Sequence, residues 1–597
     1  MSVSRISSPP SPAFWPLVIA LVLTGCGDAS RPVPTSPGIE RVGIEPPQPH
    51  PTTTRVDPTT PGRSPIRFRD VTESTGIDFV HQSGNDASKH FPTSLGSGVS
   101  LLDYDGDGRL DLYLTTTRSL PLDGPARSAG NRLFRNLGGL RFEDVTTRAG
   151  VGHVGFCHGA SVGDVDNDGR PDLYLTNLGG NVLYLNAGDG TFRDASAGGG
   201  AVVEGWSSGS AFLDYDGDGA LDLYVTCYGQ WSDHDDHEFC GDKERGLRVI
   251  CSPFSITPAR HYLFKGRGDG TFVETTAAAG VLRRDGRGLG VIAADLNHDG
   301  RTDLYVANDG CPNFLFLNRG DGTFEDLTES SGAATNEAGE VQGSMGVDVQ
   351  DLDGDGLSEI LVTNFRGQYN TVYRNHDGRN FQDVTARTGT VKESLPYVGW
   401  GCALADFDAD GLADMFVVNG EVDDNLRALG QEIDYRQPAL VWKNEGAFKF
   451  SKMEDPGSFF RINHPARGAA FGDLDDDGDL DVVVGMMDER PAVLVNDSDS
   501  GHWARIRLTP TRSNRSAIGA RVEIQAGRRT LQRQRKGGDS YLSANDPRLH
   551  FGLGDAETID RLEVHWPSGA RTVLENLAVD REHEVVEPLA NAAEEAR

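Results

Sequence analysis

One nine-residue acidic segment recurs seven times in this chain. It reads DYDGDGRLD from Asp103, DVDNDGRPD from Asp164, DYDGDGALD from Asp214 and DLNHDGRTD from Asp295. It returns as DLDGDGLSE from Asp351, DFDADGLAD from Asp406 and DLDDDGDLD from Asp473. Successive copies start 61, 50, 81, 56, 55 and 67 residues apart. A small, apolar run such as GSGVSLL or SSGSAFL precedes a copy, and DLYLTT-like alternation, a strand signal, follows it. Next come an N-x-L-Y/F-x-N strand, a Gly-Asp-Gly turn and a TFEDLT-like strand. Four short strands per unit, repeated about every sixty residues, predict a β-propeller.

Ring closure is also written in the order of the strands. Fourth strands follow units one to five at RFEDVT, TFRDAS, TFVETT, TFEDLT and NFQDVT, and unit six has the weaker FKFSKM. Unit seven stops after AVLVN, while IRFRDVTESTG, from Ile66 to Gly76, precedes unit one. The two ends of the repeat region therefore combine in one blade and leave no open seam. The expected fold is all-β, with a seven-bladed propeller over 66–497 and a small β domain over 498–589.

The acids would repel unless a cation balanced them. Two charges about 5 Å apart cost roughly 3 kcal/mol at an effective dielectric near 20. Calcium accepts six to eight oxygens from carboxylates, carbonyls and water. In the first loop Asp103, Asp105 and Asp107 hold positions 1, 3 and 5, Gly108 allows the bend, Arg109 offers a carbonyl and Asp111 closes position 9. An EF-hand needs an acid at position 12 between two helices, but here that place is Leu114 in a strand. The same four positions are Asp164, Asp166, Asp168 and Asp172 in the second loop, and Asp214, Asp216, Asp218 and Asp222 in the third. They are Asp295, Asn297, Asp299 and Asp303 in the fourth, and Asp351, Asp353, Asp355 and Glu359 in the fifth. The last two sets are Asp406, Asp408, Asp410, Asp414 and Asp473, Asp475, Asp477, Asp481. Asn297 and Glu359 mark the two sites expected to differ most in affinity. Seven calcium ions would add +14 to a formal charge of -33, leaving -19. A charge so negative argues against nucleic-acid binding.

The N-terminus reads as an export signal. Arg5 supplies the positive region, and Ala13 to Leu23 is apolar but too short for a permanent span. LTGC, ending at Cys26, resembles a lipobox. Residues 1–25 would be removed and Cys26 would carry lipid, placing the chain on the cell envelope. Residues 26–65, rich in Pro and Thr, would form a disordered tether. Six cysteines remain, allowing fifteen pairings if all are bridged. Cys240 and Cys251, inside the long gap of 81 residues, are the first candidates for a disulfide.

These loops resemble the FG-GAP/VCBS repeat proteins, whose propellers include the integrin α head. That resemblance implies calcium on one face of the ring. Residues 513–567, from SNRSAIGARVEIQAG to IDRLEVHWP, look like an ASPIC/UnbV domain. The combination resembles the cartilage acidic protein family. Read alone, the tail gives strand candidates HWARIRLT, ARVEIQA, RLHFGLG and RLEVHW, with residues 590–597 as a terminal tail. Residues 501–550 hold eleven Lys/Arg against Glu523, Asp539 and Asp546. That basic stretch would dock on the propeller, meet an anionic glycan or lipid head group, or stay solvated.

Other motifs are weaker. GWSSG, from Gly205, matches a nucleophile elbow but enters a strand rather than a strand–turn–helix. Two RGD triplets, at Arg267 and Arg319, fall on the repeat's Gly-Asp-Gly turn. DHDDHEFC would offer His234 and His237 to zinc or copper, or form an acidic loop stapled by a disulfide. His158, just upstream of the second loop, would face the central channel or serve a structural role. No convergent catalytic set emerges. The expected role is binding, adhesion or scaffolding towards a protein or glycan. The competing readings are a polysaccharide lyase or hydrolase and a periplasmic assembly factor.

Overall fold

A computed structural model describes residues 66–235 and 238–589. The signal segment, Cys26, the tether, His237 and the 590–597 tail lie outside the described residues.

Seven of the four-stranded antiparallel sheets among them are the blades of the propeller. Blade one contains Val99–Leu102, Asp111–Leu114, Arg132–Asn136 and Phe142–Asp144, in spatial as in chain order. Blades two to six repeat this order, and even FKFSKM forms its outer strand, Phe450–Lys452, paired to Leu440–Asn444. Blade seven takes its outer strand from the other end of the ring. Phe68, Arg69 and Asp70 pair antiparallel with Asn496, Val495 and Leu494. Arg69 Nε then bonds Asp497 at 2.7 Å. Each innermost strand touches those of the two adjacent blades, so the ring closes on itself.

Small residues on the innermost strands permit this closeness. A Cβ at Gly401 would lie 2.7 Å from the backbone nitrogen of Ala469 in the next blade. Blades are also buckled by asparagines at the end of the third strand. Asn186 Nδ2 donates to Tyr104 O in the preceding blade at 2.8 Å, and Asn318 reaches Tyr215 O at the same distance. Asn496 does so to Phe407 O, and Asn136 joins blade one to Leu474 O of blade seven at 2.9 Å. This is why the N-x-L-x-x-N pattern ends in Asn: a carboxamide supplies the donor that the buried carbonyl of the preceding blade requires.

The C-terminal domain packs a three-stranded sheet against a four-stranded one. His502–Thr509 lies between Leu549–Gly554, antiparallel, and Arg581–Val586, parallel. The other sheet runs Arg529–Gln534, Arg521–Ala526, Thr558–His565, Arg571–Ala578. Ile506, Val522, Ile524, Phe551, Leu562 and Trp566 fill the space between them.

Residues 535–546 leave this domain and enter the propeller axis. Gly537 exchanges backbone hydrogen bonds with Ala293 of blade four at 2.7 and 2.9 Å. Ser540 O accepts from Val347 N of blade five, and Ser540 Oγ from Cys402 N of blade six, both at 3.0 Å. Ala544 pairs with blade one through Leu101 N and Val99 O, and Asp546 N reaches Phe471 O of blade seven. The segment is therefore a plug, held by inner strands that would otherwise leave donors and acceptors unpaired.

Candidate metal loops and the domain that caps them

Each acidic loop joins the first two strands of its blade, and its acids have distinct structural duties. In blade one the two Asp103 oxygens accept from Asp107 N (3.0 Å) and Gly108 N (2.9 Å), fixing the turn. Position 9 is a clamp: Asp111 accepts from Tyr104 N at 3.0 Å and Asn136 N at 2.8 Å, so it ties the loop to the third strand. Asp172, Asp222, Asp303, Asp414 and Asp481 repeat that pair of backbone bonds. Glu359 does so too, its longer side chain reaching Leu352 N at 2.8 Å and Asn375 N at 3.3 Å. The acid at position 9 is thus required by the fold, and each oxygen keeps only one free lone pair for a cation.

Position 3 leaves an oxygen unsatisfied. The Oδ1 atoms of Asp105, Asp166, Asp216 and Asp475 are buried without a hydrogen-bond partner, as is Asp473 Oδ1 at position 1. Asp103, Asp105 and Asp111 bring carboxylate oxygens within 4.8 Å of one another. So do Asp164, Asp166, Asp172 and Asp214, Asp216, Asp218 and Asp351, Asp353, Asp355 and Asp406, Asp408, Asp414. Burial pushes Asp111 and Asp172 up to about 8, Asp164 and Asp214 to about 6, and Glu359 to about 9. Orphaned, desolvated oxygens at this density are expensive alone and fit a hard divalent cation.

Arg109, Arg170 and Arg301 at position 7 pair with the position-5 acids of loops one, two and four, and in four blades a third-strand cation, not singled out in the sequence, also reaches the loop. The last residue but one of the third strand is Arg135, Lys265, Arg374 or Lys443 in blades one, three, five and six. Arg135 Nε lies 2.6 Å from Asp105, and Arg374 lies 2.7 Å from Asp353. Lys265 bridges Asp216 and Asp218, and Lys443 bridges Asp408 and Asp410. Blades two, four and seven have Leu185, Leu317 and Val495 there. The signal was available as a basic residue at a fixed place in the repeat.

The basic stretch of the C-terminal domain covers this loop face. Of the uses left open by the sequence, docking on the propeller is the one the structure displays. Ser516 Oγ accepts from Asp164 N in loop two at 2.9 Å. Gln534 exchanges two bonds with the Asp295 backbone of loop four, at 2.9 and 2.8 Å. Gln532 Nε2 reaches Gly356 O of loop five at 3.1 Å, and Arg529 reaches Asp410 O of loop six. At loop seven Arg505 bonds Asp473 and lies 3.0 Å from Asp476, while Arg548 Nη2 donates to Asp473 O at 3.1 Å.

Known families match both halves. An FG-GAP-like repeat matches residues 103–175, 164–225, 254–306, 295–362 and 351–417, and an ASPIC and UnbV domain matches 510–592. The chain is an FG-GAP repeat protein with an ASPIC and UnbV domain. Cartilage acidic protein 1 of Xenopus tropicalis is 30% identical over 294 residues, 47% of this chain and 42% of that protein. Its Homo sapiens counterpart is 29% identical over 328 residues, 53% of this chain and 46% of that one. The chain thus spans less than half the length of these curated relatives. A solved structure described as the Dos1 propeller overlays 67% of this chain and 93% of its own, at 8% identity and a TM-score of 0.34. The fold stands on the seven sheets rather than on that overlay.

The remaining motifs fall into the FG-GAP architecture. Ser207–Leu213 is an inner strand, and Ser208 Oγ donates to Gly288 O at 2.5 Å, so GWSSG forms no nucleophile elbow. Both RGD aspartates are turn residues: Asp269 and Asp321 each accept from the threonine two residues on. His158 is fully buried, its Nε2 accepting from Trp206 Nε1 at 3.0 Å, and burial lowers it to about 3. Cys240 and Cys251 form a disulfide, whereas Cys157, Cys227, Cys311 and Cys402 are free and buried. His234 is exposed, 3.6 Å from Asp233 and 3.9 Å from Asp123.

Proposed function

We propose that this chain is a calcium-stabilised binding and scaffold module, exported and held to a membrane by lipid on Cys26. The buried, unpartnered position-3 oxygens of Asp105, Asp166, Asp216 and Asp475 carry the calcium reading. Positions 1, 3, 5 and 9 of each loop would hold the ion, which would balance the loop acids. The protein's own groups already fix the hairpins: Asp111 and its equivalents clamp the third strand, and the position-1 acids shape the turn. A plugged axis and a capped loop face suit a rigid platform whose ligands meet its rim and clefts.

Isothermal titration with calcium tests the first part. Binding in the range of extracellular modules, about 10⁻⁴–10⁻³ M, is expected, with a raised melting temperature. Absence of both would overturn it. Mass spectrometry of the cell-derived protein tests the anchor: a lipid-modified Cys26 supports it, and an intact segment before Cys26 rejects it.

A further inference from the structure

Arg505, Arg507 and Arg548 of the ASPIC and UnbV domain are matched by acids where they face the loops. Arg505 meets Asp473 and Glu582, Arg507 meets Glu582, and Arg548 meets Asp546 at 2.7 Å. Of the arginines this domain contributes to the cleft beside loops one and two, Arg507, Arg515, Arg535 and Arg548, two differ. Arg515 and Arg535 make no ion pair among the described residues. Arg515 Nη1 donates to Pro510 O at 2.6 Å, and Arg535 Nη1 to Lys536 O at 3.1 Å. The Nε of Arg535 is buried with no partner at all. The acids nearest Arg535 are engaged elsewhere: Asp546 by Arg548, and Asp539 by the Asn545 N–H beside Lys536.

Both side chains line one cleft of about 690 Å³ between the two domains. Its opposite wall is loops one and two, with Asp103, Asp105, Asp164 and Asp168. The volume lies in the range of ligand sites, and clefts between domains are common places for them. Divalent cations on the two loops, together with Arg109, Arg135 and Arg170 already paired to their acids, would consume most of that negative charge. The guanidiniums would then be the unbalanced charge of the cleft.

We infer that this cleft binds an acidic glycan, with uronate carboxylates meeting Arg515 and Arg535. The inference rests on the binding-module reading above and names its ligand class. A guanidinium holds a carboxylate by two parallel N–H bonds. The facing loops offer backbone and cation contacts to the hydroxyls of the same ring, beside the glycines Gly106, Gly163 and Gly169. An acidic peptide would present its carboxylates on flexible side chains and lose more rotamer entropy on binding.

Calorimetry on the full chain in millimolar calcium tests this with tetraguluronate, maltotetraose and a tetraglutamate peptide. Tetraguluronate is expected to bind and maltotetraose not to. Arg515→Glu, at an exposed position, should weaken uronate binding about tenfold or more, and Arg535→Gln should act in the same direction. The calcium-induced rise in melting temperature should match the wild type in Arg515→Glu, which separates this site from the loops. Equal binding of maltotetraose, binding of tetraglutamate alone, no uronate binding, or an unchanged dissociation constant in Arg515→Glu would each overturn the inference. Loss of the calcium response in the wild type would instead refute the reading of the loops.

Discussion

The ring of Tyr541, from the C-terminal domain, packs edge-on against Trp400 of blade six, their centroids 5.0 Å apart. Tyr541 is fully buried, and its hydroxyl donates to Leu95 O at 2.9 Å. One side chain thus joins the plug to the innermost layer of the propeller, and its removal is the most direct test of that union. Tyr541→Ala should cost about 3 kcal/mol or more, through a cavity and an orphaned carbonyl. Denaturant unfolding should show the loss. Limited proteolysis should then cut within 535–546, a segment the native protein protects.

The first-to-last strand pairing gives a second test. Phe68 packs edge-on against Phe407 and Phe416, with centroids 5.5 and 5.7 Å away, so this short strand seals blade six as well as seven. A chain beginning at residue 77 would expose the Ala492–Asn496 edge. Exposed edges recruit other chains. Light scattering should therefore report oligomers, while the intact chain gives none by this route.

Much of this architecture was legible because it repeats. The acids at positions 1 and 9 recur because every blade needs the same turn and the same clamp, and the Phe68 strand is implied by the one unit whose repeat lacks a fourth strand. The cap was not legible in the same way. Arg505 and Gln534 find their partners 32 and 239 residues away, on a face that exists only after the ring closes. The plug, KGGDSYLSAND, has no periodicity that announces burial. Its small residues make sense only beside Gly159, where a Cβ would lie 2.8 Å from Leu542 O.

The internal cations predict unequal metal sites. Lys443 is only 15% exposed and already spans Asp408 and Asp410, whereas blade two has Leu185 at that place. An incoming divalent ion at blade six must therefore meet a resident positive charge. Lys443→Leu should raise calcium affinity at that loop by about tenfold or more, since like charges a few ångströms apart cost several kcal/mol at a dielectric near 20. It should also lower the stability of the calcium-free protein, by leaving two buried acids unbalanced. Titration calorimetry with and without chelator reads both effects.

Buried histidines set the acid limit. Burial lowers His81 to about 4 and His158 to about 3, and the Trp206 N–H on His158 Nε2 requires that nitrogen to be unprotonated. The unfolded chain takes up these protons near pH 6.5, and the folded chain only below about 4. Between those values the unfolded state binds more protons, so stability falls as pH falls. In saturating calcium, which keeps the loop acids ionised, the urea midpoint should drop between pH 6.5 and 4. His158→Gln keeps an acceptor for Trp206 and does not titrate. It should flatten part of that slope, and a variant with the wild-type slope would show that His158 plays no part in it.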